Sequence, residues 1–299
     1  MSYALHLLIY FTIYGILAMS LNVMTGYCGL LTMAQASYCA IGAYAYALLT
    51  MNLHLDFISA ALCGSIIAIF LSLAISLPAW RFKGDSFVLI SLAVQQMLFS
   101  LFQNWTSPEA QPGTWLNLTN GPFGLPSIAK PEIFSFHFDS IGGSAVLSCL
   151  TFLICAGLCR LLLGSPWARL LCAMRDTELA ARGLGKNVRL AKVQAVAISC
   201  GLAAIAGALY ASYVGYIDPT VASLDESVLV LCMVLVGGIG NFRGPLAGAV
   251  VLIAIPELLR CVAIPDAIAA NIRLLIYGAL LILMMHVRPQ GLFGSYRLE

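Results

Sequence analysis

The chain has 299 residues, of which 61% are hydrophobic and only 9% charged, with a formal net charge of +2. A soluble domain carries roughly a quarter charged residues, so this chain has too little charge to solvate a water-facing surface of its size. A bilayer accepts apolar side chains on the outside of a helix bundle, and a near-neutral balance with no basic run interleaved with aromatics excludes nucleic acid as a partner.

The composition predicts an all-α fold: one polytopic transmembrane helix bundle over residues 1–299, with about nine crossings. A crossing needs about 20 mainly apolar residues. Taken along the chain, the apolar stretches are 5–24, 28–51, 57–80, 86–104, 141–163, 191–216, 226–240, 245–262 and 270–287. The first two are parted only by a glycine-bearing turn and the seventh is short, so one or two of the nine are expected to be broken or re-entrant. The stretch from His6 to Met24 lacks a charged start and is too long for a cleaved signal peptide. The ten cysteines lie in or beside apolar stretches except Cys172, which sits in a basic loop. None has a nearby His at metal-ligand spacing, so packing is expected, with no metal and no disulfide.

Orientation follows from lysine and arginine in the loops. The segment 164–192 holds Arg169, Arg175, Arg182, Lys186, Arg189 and Lys192; Arg81 and Lys83 close the third span; Arg288 and Arg297 follow the last. Alternating crossings put all three on one side, the cytoplasm. The loop 105–140, rich in Pro, Gly, Asn and Thr, then falls outside, as does the chain start. Arg260 and Arg273 are mild exceptions near the outer face. Trp80, Trp105 and Trp167 sit at span ends, where an indole keeps its N–H wet. From Trp167 to Leu184 the chain favours helix but is too charged to cross, so a short amphipathic helix outside the membrane is expected.

The spans hold no HExxH, no GxSxG and no histidine cluster, and His6, His54, His137 and His286 fall at span ends or in a loop. An enzyme is therefore not expected. Only Glu257 sits within a span, three residues before Arg260; Asp85, Asp225 and Glu226 stand at span starts, where a carboxylate suits a helix N-terminus. A gradient-coupled carrier would bury ionisable groups deliberately. The energy for any transport should come from elsewhere.

A candidate for its entry is the segment Arg175-Asp176-Thr177-Glu178-Leu179-Ala180-Ala181-Arg182-Gly183-Leu184-Gly185. Ala180, Ala181 and Gly183 leave little bulk, so a partner's groove could close around the backbone, with Asp176, Glu178 and Arg182 fixing the register. On spacing alone, an ordinary solvated helix is an equal reading. The glycine runs Gly26–Gly29 and Gly237–Gly238–Gly240–Gly244 read either as helix breaks at membrane depth or as tight turns at the cytoplasmic face. Asn22, Gln35, Gln95 and Gln96 are the polar side chains expected to face a translocation route, with interhelical hydrogen bonding as the rival role.

At these residues the chain resembles a known family. Glu178 through Gly185 looks like the coupling segment of ATP-binding-cassette importer permeases, and the whole chain resembles the M-type permease of branched-chain amino-acid importers. The resemblance is carried in order by Ser20–Leu30, Ala40–Tyr44, Gly121–Pro126, Arg175–Gly185, Ala206–Ala211, Ile217-Asp218-Pro219, Gly237–Pro245 and Arg288–Gly294. The family commonly has Gly-His where this chain has Ala34-Gln35. The resemblance implies an inner-membrane heterodimer with an H-type sister permease, two cytoplasmic ATPases that carry the ATP and magnesium, and a periplasmic binding protein; the loop 105–140, as the largest exposed segment on the outer side, is the expected dock for it. This chain itself would bind no cofactor, and nothing in it resembles a Walker loop. A urea or short-amide importer is the rival within the family; a self-contained small-solute channel is the rival outside it.

Overall fold

The computed structural model describes residues 2–76, 85–107, 109–114, 116–126, 128, 130–133, 136–137, 140–261, 266–288 and 290–294. Arg81, Lys83, Trp80 and Arg297 lie outside them, as do the side chains of Asp85, His137, Arg260 and Arg273. The fold is an α-helical bundle. In chain order the helices are α1 (Ser2–Asn22, continued by a π-helical turn Val23–Tyr27), α2 (Gln35–Leu53), α3 (Phe57–Ser76), α4 (Asp85–Asn104), α5 (Ile141–Leu163), α6 (Pro166–Asp176), α7 (Glu178–Gly183), α8 (Val188–Val214), α9 (Leu224–Gly237), α10 (Arg243–Cys261) and α11 (Asp266–Val287). A two-residue hairpin, with Glu132 opposite His137 and Ile133 opposite Phe136, interrupts the long loop before α5.

Among the described residues, five helical stretches are long and apolar enough to cross a membrane: Tyr3–Tyr27, Phe57–Ala74, Ser86–Asn104, Ile141–Leu163 and Val188–Val214. The first and last sit inside the bundle, 72% and 78% buried, whereas the α5 stretch is only 22% buried. On α3 to α5 the outward side chains are Phe70, Leu89, Leu153 and Leu161, all at least 66% exposed, a surface suited to lipid and not to water. The span expected at 28–51 is corrected: residues 28–34 are irregular and the helix begins only at Gln35. α2 falls below the apolarity of a lipid-facing span because protein surrounds it, and every residue from Gln35 to Ala47 is buried. A helix coated by neighbours is free to carry Gln, Ser and Tyr.

Small residues bring the central helices together. A Cβ at Gly207 on α8 would run into the Cys39 carbonyl on α2, and one at Gly42 into the backbone of Ala204. Between α9 and α10, Gly248 lies against the Met233 carbonyl in the same way. With lipid outside, close backbone packing of this kind is what holds helices side by side.

The bundle has two distinct ends. At one, Asn52 Nδ2 donates to Gly113 O (3.0 Å), Thr119 Oγ1 to Phe102 O (2.6 Å), and Leu125 pairs with Ile217, so the 105–140 loop covers the ends of α2, α4 and α8. The start of α1 lies there too, with His6 Nδ1 2.5 Å from the Tyr213 hydroxyl. At the other end lie α6, α7, the start of α8, and the tail after α11, whose Leu292 and Phe293 N–H groups bond Val236 O and Gly237 O at 2.9 Å. The basic segment 164–192 and Arg288 therefore share one end, opposite the long loop.

The order of elements repeats with opposite sense. α1, a break at 28–34, and α2 to α4 run from the loop end; α8, a break at 215–223, and α9 to α11 run from the basic end. α2 and α9 begin where the breaks meet, with the Ala36 N–H donating to Ser227 Oγ at 3.1 Å. This arrangement is an inverted repeat of the kind transporters build around a central site.

Candidate coupling surface and interior polar network

The basic end carries the segment expected to meet a partner. It is two helices where one was expected. Thr177 is extended (φ −149°, ψ 96°), so α6 stops at Asp176 and α7 starts afresh at Glu178. α6 starts with Pro166, which already has helical φ, and buries Ala168, Leu171 and Met174 at a spacing of three. Burial pushes the Cys172 thiol on this helix above its ordinary range, with Asp176 adding to the effect and Arg175 opposing it.

α7 is pinned by its charges. Glu178 accepts from Arg182 Nη2 (2.5 Å) and from Lys192 Nζ on α8 (3.3 Å), and Lys192 is buried. Arg175 bonds Asp176 through Nε (3.1 Å) and donates from Nη1 to Gly26 O on the π turn of α1 (2.6 Å). Ala181 is only 3% exposed and faces the bundle, which removes it from the small outer face that spacing suggested. That face is instead Ala180, Gly183 and Gly185, flanked by Leu179 and Leu184, which are 78% and 79% exposed. A side chain at Gly183 or Gly185 would meet nothing within 4 Å, although Gly185 has a φ of +72°.

The glycine runs both lie at this end. Asn22 accepts from Gly240 N (3.1 Å) and donates to Asn241 O (3.0 Å), and Asn241 Nδ2 donates to Phe293 O (2.9 Å). Gly238 (φ +112°) and Gly240 (φ +77°) make the turn between α9 and α10, Gly244 opens α10 against Gly238 O, and Gly29 (φ +73°) turns the chain under Arg175. Gly29, Gly238 and Gly240 have the geometry of tight turns, whereas Gly26 belongs to the π-helical turn, Gly237 ends α9 and Gly244 lies in the first turn of α10. The breaks that enter the bundle are 28–34 and 215–223.

Those inner breaks are stitched by the predicted polar residues. Gln95 on α4 donates from Nε2 to Ala222 O (2.5 Å) and Ser223 O (3.0 Å), and its Oε1 accepts from Ser37 Oγ (2.6 Å). Met33 N–H donates to Ser91 Oγ (2.9 Å), so one face of α4 holds both breaks. Gln35 Nε2 donates to Ser20 Oγ (2.6 Å), while its buried Oε1 has no partner among the described residues. Gln96, by contrast, is exposed beside Met97 on the outward face of α4, away from the other three.

Sequence reasoning missed a cavity. It lies between α1, α9, α10 and α11 toward the loop end, has a volume of about 420 Å³, and is lined by His6, Tyr10, Tyr14, Asp225, Glu226, Glu257 and Tyr277 with Leu229, Met233 and Ile253 among its apolar walls. Tyr14 donates to Glu226 Oε2 at 3.0 Å. Asp225 and Glu226 occupy the first turn of α9, where Ser223 Oγ accepts from Glu226 N (3.4 Å) and the helix dipole favours negative charge. The expectation that Glu257 is alone among interior carboxylates is thereby corrected. A signal was present: His6, Tyr10 and Tyr14 recur every fourth residue, which places them on one face of α1.

The family profile described as "Branched-chain amino acid transport system / permease component" matches residues 3–285. The chain belongs to this family of transport permeases. It is 30% identical to the high-affinity branched-chain amino acid transport system permease protein LivM of Escherichia coli, over 95% of this chain and 68% of that relative. A probable LivM of Methanocaldococcus jannaschii is 24% identical over 96% of this chain and 92% of its own length. The LivH permease of Escherichia coli is 26% identical, again over 96% and 92%.

The chain is thus an M-type permease subunit of an ATP-binding-cassette importer and a multi-pass membrane protein. Of the permease residues singled out from sequence, Arg175, Asp176, Glu178, Ala180, Arg182, Gly183 and Gly185 come together on one surface. Asn22, Gln35 and Gln95 are buried but engaged in holding helix ends. Neither group touches the cavity.

Proposed function

We propose that this permease forms half of a heterodimer with an H-type sister, carries branched-chain amino acids across a bacterial inner membrane in nine crossings, and is driven by two cytoplasmic ATPases. The observation that carries the coupling part is the exposure of Leu179 and Leu184 on either side of the open Gly183. Two leucines this exposed beside one another on a charged end favour a partner protein that covers them. A partner gripping α7 would pull on α8 through Glu178 and Lys192, and on α1 through Arg175 and Gly26. ATP and magnesium belong to the ATPases in this reading, the loop 105–140 receives the periplasmic binding protein, and the positive-inside rule puts the basic end in the cytoplasm.

The test is a Leu179→Asp/Leu184→Asp variant of the full complex, purified through a tag on the permease. Loss of the ATPase subunits, with the sister permease still present, is the expected result; their full retention counts against the docking surface. Uptake of labelled leucine and urea into vesicles of the wild-type complex, with and without ATP, separates the amino-acid reading from the urea one.

A further inference from the structure

The cavity between α1, α9, α10 and α11 has no part in the coupling surface or in the network that holds the inner breaks. At about 420 Å³ it falls within the roughly 300–1,000 Å³ of small-molecule sites. Its lining mixes two chemistries. Leu7, Leu229, Met233, Leu252 and Ile253 are apolar, while Asp225, Glu226 and Glu257 bring carboxylates into the same lining. Tyr10 and Tyr14 add aromatic faces that a cation can approach.

Glu226 is held in place. The Tyr14 hydroxyl fixes its Oε2, and the residue sits in the first turn of a helix that begins inside the bundle. Tyr14 and Glu226 also line a second void of about 60 Å³, which runs inward past Ala36, Cys39 and Tyr210 toward the start of α2. The pair therefore stands between an outer chamber and the level at which the two halves of the repeat meet.

We infer that this cavity binds a small primary amine with an apolar tail, the ammonium against Glu226 and the tail against Leu229, Met233 and Ile253. This rests on the importer reading given above and names the place within the permease that holds the transported amino acid after release from its binding protein. A lipid amine headgroup offers the same ammonium, so the test is run in discs of phosphatidylcholine and phosphatidylglycerol alone.

Binding of labelled leucine to the assembled permease–ATPase complex is measured there without any binding protein. Saturable binding is expected, displaced by 3-methylbutylamine, which keeps the ammonium and the branched tail and lacks the carboxylate. Glu226→Gln should weaken leucine binding at least tenfold, and Tyr14→Phe should weaken it less. Failure of 3-methylbutylamine to compete in the wild-type complex overturns the inference without reference to any variant. So does leucine binding in Glu226→Gln within twofold of wild type, or the absence of saturable binding. ATP-dependent leucine uptake by the wild-type complex reconstituted in closed vesicles with its binding protein is the control: its absence refutes the importer reading, whereas its presence alongside any of those results refutes the site alone.

Discussion

Arg175 reaches out of α6 to donate a 2.6 Å hydrogen bond to the main-chain oxygen of Gly26, on the π-helical turn that ends α1. A π turn has one residue more per hydrogen-bonded loop than an α turn, and such turns recur at functional positions. Here the neighbouring Asn22 side chain clasps Gly240 and Asn241, and Asn241 holds the tail at Phe293. A displacement of α6 thus bears on α1, on the α9–α10 turn and on the tail together.

Arg175→Ala should reduce ATP-dependent leucine uptake by about tenfold with the complex still assembled. A charge-assisted bond of this type contributes roughly 1.5–3 kcal/mol, and tenfold corresponds to about 1.4 kcal/mol. Uptake and ATP hydrolysis measured side by side in proteoliposomes decide it; unchanged uptake refutes the role of the tie.

Glu178→Gln leaves the Lys192 ammonium without its carboxylate in a buried setting, since the two side chains are only 14% and 10% exposed. The expected loss is about 3 kcal/mol. Thermal unfolding in detergent should show a clear fall in Tm, and Glu178→Gln combined with Lys192→Met should recover much of it. A double variant no better than the single one would falsify the ion-pair explanation.

Gly183→Trp and Ala181→Trp should part company. The first points into open space and should leave folding intact while impairing coupled uptake. The second must force an indole into a site that is 3% exposed, and should lower both yield and thermal stability. Size-exclusion profiles and uptake of the two variants provide the comparison.

Cys172 reacts through its thiolate, and burial shifts its thiol upward, so less thiolate is present at pH 7 than for a free cysteine. In a variant retaining only this cysteine, maleimide labelling should be slow at pH 7 and keep rising beyond about pH 10, where an unshifted thiol levels off. A plateau already at about pH 10 would contradict the shift.

Hydropathy was enough to read the bundle, because each apolar stretch adds up locally whatever lies beside it. It went astray at 28–34, where the chain is apolar enough to extend a span but irregular. There Met33 N–H is satisfied by Ser91 from α4, and no stretch of sequence reports that a distant helix will supply that bond. The coupling segment was legible for the same local reason, since charge and small residues stand together in 175–185. The side each residue turns outward was not. Ala181 and Gly183 are equally small, and only the packing of α7 on α8 buries one and opens the other.

The amino-acid composition by itself determined that this chain lies in lipid, which end gathers the basic residues, and which segment is too charged to enter. Those are sums over neighbours in the chain. Only the tertiary structure decided that Asn22, Gln35 and Gln95 spend their amides holding helix ends, and that Tyr14 meets Glu226 across 212 positions to line a cavity. A buried polar group takes its meaning from its partner, and the partner is chosen by which helices come to lie side by side.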